Sequence, residues 1–141
     1  MRYYIPMFAG LYNAMRPVTE TILRLLSGAA LMVHGWPKIT NPFGATDMVA
    51  QLGFVPAGFW SVALSVTEFG GGLLLFIGLF TRLAALGTFI ILAVAAYTHG
   101  IVWQQGWSGA ESVLIWAAVN LYFVARGGGR YSLDGYRGKE I

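Results

Sequence analysis

Glu68 is the residue whose position most needs explaining. It stands twelve residues from Pro56 and twelve from Phe80, in a stretch that is otherwise almost wholly uncharged, with no charged residue at helical spacing beside it. An unpaired charge in an apolar phase costs several kcal/mol. The carboxyl must therefore either stay protonated and hydrogen-bonded to another helix or find a cation. Arg24 is the candidate cation. Counted at about 1.5 Å per helical residue from Pro17 and from Phe80, the two groups differ in depth by only about 6 Å, within reach of an arginine side chain. Gly70, Gly71 and Gly72 follow Glu68 directly, and small residues let a neighbouring backbone approach it closely. Arg24 has a competing partner in Glu20, four residues earlier on the same helix face, as an ion pair that snorkels to the headgroups.

A second group gathers His34, His99, Lys38 and Glu111, with Trp36, Tyr97, Trp103 and Trp107 around them. Each falls near one end of an apolar segment, and all are expected at one depth, as an outward-facing polar site roofed by aromatic rings. Such a site offers hydrogen bonds to the oxygens of a small carrier molecule and groups that can take up and release a proton. Glu111 has a simpler role as well. Ser108-Gly-Ala-Glu111 has the spacing of a capping box, in which hydroxyl and carboxylate each accept from a backbone N–H at a helix start. The histidines form no close H-x-x-H or H-x-x-x-H pair, so the metal signal is weak, and a haem held by two histidines has no motif behind it. The chain has no cysteine, which removes thiolate chemistry, disulfides and cysteine-ligated metals. Asn120 and Thr88 are expected to hydrogen-bond between helices.

The elements that position these groups follow from composition. Of 141 residues 57% are hydrophobic and 11% charged, against roughly 45–50% and about 25% in soluble domains. So few charges cannot cover a soluble protein of this size, and a disordered chain would be far less apolar. Four segments approach the ~20 apolar residues that cross a bilayer: 17–36, 56–80, 83–99 and 111–125. Pro17 and Pro56 stand where a first-turn proline is tolerated, and only Thr81-Arg82 joins the second segment to the third. These features predict an all-α membrane protein, four transmembrane helices in an antiparallel bundle. Residues 1–16 form an interfacial N-terminal segment, 17–126 the bundle, and 127–141 a mobile, polar, glycine-rich tail. Within the longest loop, Thr46 to Leu52 read as a short helix ended by Gly53.

Arg2, Arg16, Arg82, Arg126, Arg130, Arg137 and Lys139 share one side of such a bundle, and Lys38 alone lies on the other. The positive-inside rule places both termini in the cytoplasm, with the chain multi-pass in the cytoplasmic (inner) membrane. The net charge of +3 is then an attraction to anionic lipid, and nucleic-acid binding is not expected.

Arg24-x3-Gly28 followed by His34-Gly35-x2-Lys38 resembles the first-helix signature of the DoxX family of small four-helix membrane proteins. The stretch from Glu68 through Gly70-Gly-Gly72 and Gly78 to Thr81-Arg82 is similar to its second-helix and hairpin signature. His99, Glu111 and the tail Tyr131-Ser-Leu-Asp134 fit its later positions. The resemblance implies a membrane subunit of a quinone-linked redox system, whose known relatives serve thiosulfate oxidation or partner soluble redox and sulfur-transfer enzymes. On that expectation Glu68, His34 and His99 carry the proton and hydrogen-bond chemistry of an oxidoreductase subunit. Arg24, Lys38, Trp103 and Glu111 bind the cofactor, a quinone, with haem or metal left open. Two further expectations stand beside it: a non-catalytic anchor or assembly partner for a soluble or membrane redox protein, and a small-solute or metal-ion carrier working as a homo-oligomer.

Overall fold

The computed structural model describes residues 6–139, and every regular element in it is helical. A 3₁₀ turn, Pro6–Phe8, leads into α1 (Ala9–Thr40). Then come α2 (Thr46–Gln51), α3 (Ala57–Ile77), α4 (Thr81–Tyr97), α5 (Gly106–Arg126) and α6 (Leu133–Arg137). A π-helical turn, Thr98–Val102, continues α4. Three helices are long and apolar enough to cross a membrane: Ala57–Ile77, Thr81–Val102 and Gly106–Arg126, with mean hydropathies of 1.5, 1.8 and 1.3. The expected first span lies within α1, where Glu20, Arg24 and His34 dilute the apolar stretch.

Several helix ends differ from expectation. Pro17 does not open α1 but lies inside it, so residues 9–16 are the first turns of the same 32-residue helix. A proline there removes one backbone donor without forcing the helix to end. Helix α3 starts after Pro56 as expected but stops at Ile77. Gly78 takes a left-handed conformation (φ 72°), and its N–H donates to the Leu74 carbonyl at 2.8 Å, which closes the helix. Helix α5 begins at Gly106, five residues before Glu111. Ser108 Oγ donates to the Gln105 carbonyl at 3.2 Å, so the capping box does not form. The short α2 lies where the loop sequence placed it, with Gly53 just beyond at φ 85°.

Helices α1 and α3 pack backbone to backbone. A methyl group on Gly28 would lie 2.6 Å from the Phe76 nitrogen and 2.7 Å from the Gly72 oxygen, and one on Gly35 would lie 2.8 Å from the Phe69 nitrogen. As α1 advances from Gly28 to Gly35, its contacts on α3 run back from Phe76 to Phe69, so the two helices run in opposite directions. The other face of α3 meets α4, where a methyl on Gly71 would lie 2.7 Å from Thr88 Cγ2. Leu31, Leu75, Ala84, Ala85 and Phe123 form the apolar core where α1, α3, α4 and α5 converge.

A buried polar chain crosses this core. Asn120 Nδ2 donates to Ser27 Oγ at 2.9 Å, and Thr88 Oγ1 donates to Asn120 Oδ1 at 3.0 Å. All three residues are fully buried. Asn120 and Thr88 join helices as their intramembrane positions suggested. Ser27, which a scan for ionisable groups passes over, completes the link to α1.

Candidate functional site

The expected Arg24–Glu68 pair does not form. On the antiparallel register of α1 and α3, Arg24 lies level with the last turn of α3. Its Nη1 donates to the Leu75 and Phe76 carbonyls, each at 2.6 Å, and its Nη2 donates to the Tyr131 carbonyl at 2.7 Å. Glu68 lies about two turns, roughly 11 Å, further along α3. The depth count failed because Pro17 does not mark the start of the helix. The C-terminal end of α3 is level with Arg24 itself. Glu20 does not pair with Arg24 either: its carboxylate accepts from Arg126 Nε at 3.1 Å and from Tyr122 Oη at 2.9 Å, both on α5.

Lys38 is the cation that meets Glu68. Its Nζ lies 2.9 Å from Oε1 and 2.8 Å from Oε2, and it also donates to the His34 carbonyl at 3.2 Å. Glu68 is buried, while the Lys38 side chain keeps 31% of its surface exposed. Gly35 positions the pair. Without a side chain it lets the last turns of α1 lie on the Phe69 backbone, so a lysine one turn later reaches the middle of α3. Trp36 on α1 and Phe69 on α3 contact with ring centroids 5.8 Å apart, one residue or two from the charged groups in each helix. The outcome is an ion pair buried on its acid side and open on its lysine side.

The remaining candidates are not brought together as one site. His99, in the π-helical turn, pairs its Nδ1 with Gln105 Oε1 at 2.9 Å and sets its ring edgewise to Trp103, with centroids 4.7 Å apart. Trp107 and Glu111 are exposed on the first turns of α5. His34 is exposed on α1. Among the described residues no hydrogen bond or ring contact joins the His99 cluster to Lys38 and Glu68, and no group of three or more His, Cys, Asp or Glu is placed to hold a metal ion.

At the opposite end of the bundle the tail is ordered onto the helix ends, contrary to the expected mobility. Asp134 accepts from the backbone N–H groups of Phe80 (2.9 Å) and Thr81 (2.8 Å) and from Thr81 Oγ1 (2.8 Å). Its own N–H donates to the Gly78 carbonyl at 2.9 Å. Helix α4 thus receives its N-terminal cap from a residue more than fifty positions downstream. Ser132 caps α6, accepting from the Gly135 N–H at 2.9 Å. An acid in a glycine-rich tail has no periodicity to announce this, and its only sequence signal was the likeness of Tyr131-Ser-Leu-Asp134 to a family motif.

Fold and site together define a multi-pass, all-helical membrane protein with polar groups built into its helix contacts. The chain belongs to the DoxX family, whose sequence model matches residues 20–100, a stretch that includes Arg24, His34, Lys38, Glu68 and His99. It is also similar to an uncharacterized protein of Haemophilus influenzae, with 32% identity over 127 residues that cover 84% of this chain and 90% of the relative. No solved structure gives a significant match.

Proposed function

We propose that the chain is a four-span antiparallel bundle of the cytoplasmic membrane, with both termini on the cytoplasmic side, and that it binds a quinone or presents one to a redox partner. Support for the fourth span comes from α1, whose 32 residues extend over about 48 Å and lie along α3 from Arg24 to Lys38. Its charges are met within the bundle, Glu20 by Arg126 and Arg24 by backbone carbonyls. Support for the orientation comes from the shared end of α1, the α3–α4 turn, α5 and the tail, where Arg16, Arg82, Arg126, Arg130, Arg137 and Lys139 fall.

The observation that carries the quinone reading is the Lys38–Glu68 pair, buried on its acid side and open on its base side. The residues present suit such a group. Lys38 offers N–H donors to a carbonyl oxygen, and Trp36 and Phe69 offer an apolar wall for a ring. A bound quinone supplies two-electron, two-proton redox chemistry. The weakest of the three Lys38 contacts, 3.2 Å to the His34 carbonyl, is the donor most readily turned to an incoming oxygen. Glu68 holds Lys38 Nζ in place from behind and gives a proton a path of under 3 Å between the two side chains.

The test is a quinone assay on the lipid extract of the purified protein, followed by titration with ubiquinone and menaquinone analogues. Retention of a quinone that Lys38→Met and Glu68→Gln both weaken supports the reading. Failure of the folded wild-type protein to retain or bind any quinone overturns it. The Ser27–Asn120–Thr88 chain and the Arg24 contacts favour a second reading, a non-catalytic anchor for a redox enzyme, because they place much of the buried polarity in holding helices together. That reading predicts stability losses in these variants with partner activity per folded molecule unchanged.

A further inference from the structure

The tail presents two contrasting faces. Inward, Asp134 and Ser132 are buried against the α3–α4 turn, and Arg24 grips the Tyr131 carbonyl. Outward, Tyr131 is 54% exposed, Leu133 39% and Tyr136 89%, and Arg130, Arg137 and Lys139 are exposed beside them. Arg130 lies over the Tyr131 ring, its Cζ 5.8 Å from the centroid. Among the described tail residues, 127–139, the sole acid is Asp134, and its carboxylate is already occupied by the Phe80 and Thr81 donors. The outward face is therefore cationic and aromatic: no acid of the tail is left to neutralise it, and Glu20, which lies beside Gly129, is already paired with Arg126.

We infer that this face is a docking surface for anionic lipid headgroups, with Arg130, Arg137 and Lys139 binding headgroup phosphates and Tyr131, Leu133 and Tyr136 seated at the boundary of the acyl chains. Position and charge complementarity single out this occupant. The face is held at the ends of two helices apolar enough to cross a bilayer, which is the level of the headgroups on whichever side of the membrane it lies. Aromatic side chains favour that level, and basic side chains beside them attract anionic lipid. The inward contacts explain how so short a segment keeps its orientation: Asp134 and Arg24 fix the backbone, so the cations need not be ordered anew when a headgroup arrives. The inference does not depend on quinone binding.

The absence of cysteine permits a clean probe, since Tyr136→Cys introduces a single labelling site. The full chain carrying an environment-sensitive fluorophore there is placed in nanodiscs of phosphatidylcholine alone and of phosphatidylcholine with phosphatidylglycerol. The expected result is a blue shift of emission in the phosphatidylglycerol discs that salt reverses. Unlabelled protein purified from mixed lipid is expected to retain phosphatidylglycerol preferentially. Each of Arg130→Gln, Arg137→Gln and Lys139→Gln should reduce that preference roughly fivefold, as expected for one cation near a charged surface. These residues are exposed, and an unchanged melting temperature confirms that the variants remain folded. Equal emission in the two kinds of disc, or a lipid preference unaffected when Arg130→Gln, Arg137→Gln and Lys139→Gln are combined, overturns the inference. A salt-insensitive shift in both discs also overturns it, leaving apolar anchoring alone.

Discussion

Lys38 and Glu68, thirty positions apart, form the ion pair between α1 and α3, with Nζ 2.8 and 2.9 Å from the two carboxylate oxygens. Glu68 sits near the middle of a helix that is otherwise almost wholly uncharged, and Lys38 is the cation the packing brings to it. Lys38→Met leaves that carboxylate buried and alone. The expected cost is about 2 kcal/mol, below the ~3–5 kcal/mol of fully buried pairs because the lysine side is open. The double variant Lys38→Met/Glu68→Leu is expected to regain most of the lost stability while the proposed quinone retention stays weakened. Thermal unfolding in detergent and quinone analysis of the same samples check both halves.

Arg24 fastens three chain segments through its guanidinium. Arg24→Lys keeps the charge but cannot present the same fork of donors to Leu75, Phe76 and Tyr131. The expected loss is about 2 kcal/mol, since hydrogen bonds to a charged group contribute roughly 1.5–3 kcal/mol each and lysine keeps part of the set. Hydrogen exchange should rise at residues 131–138 while the amides of α4 and α5 stay protected.

Asp134→Ala removes the cap of α4 and the anchor of the tail together. Caps of this kind contribute about 1–2 kcal/mol. Limited proteolysis is expected to cut the variant within 129–138 at protease levels that leave the wild type intact. Asp134→Asn, which keeps one acceptor oxygen, should fall between the two.

The glycines after Glu68 should respond unequally. A methyl on Gly70 meets nothing within 4 Å, so Gly70→Ala is expected to be neutral or to stabilise by up to about 1 kcal/mol through helix propensity. A methyl on Gly72 lies 2.8 Å from Leu31 Cβ and 3.0 Å from the Gly28 oxygen, and one on Gly28 lies closer still to the backbone of α3. Gly72→Ala and Gly28→Ala must push α1 away from α3, with expected losses of about 1–3 kcal/mol. Melting temperatures of the three single variants decide the matter.

The apolar helices were legible because length and hydropathy are properties of consecutive residues. Pro56 and Gly53 likewise marked the start of α3 and the end of the short α2 without reference to the rest of the chain. The positions that deserved attention, Arg24, Lys38 and Glu68 among them, were legible too, since a charge in an apolar stretch stands out by its cost alone. Partnership was not. Counting residues from Pro17 paired Arg24 with Glu68, and the i,i+4 rule paired it with Glu20, and both failed.

The sequence by itself determined which residues must be buried in helices and which polar groups needed partners. The tertiary structure decided who those partners are. Relative register and rotation of two helices depend on where backbones can touch, here at Gly28, Gly35 and Gly72. One turn of slip at those contacts would separate Lys38 from Glu68 and Arg24 from the end of α3. The same holds for Asp134, whose role arises because the chain turns back after α5 and lays a short tail over the exposed N–H groups of a helix start.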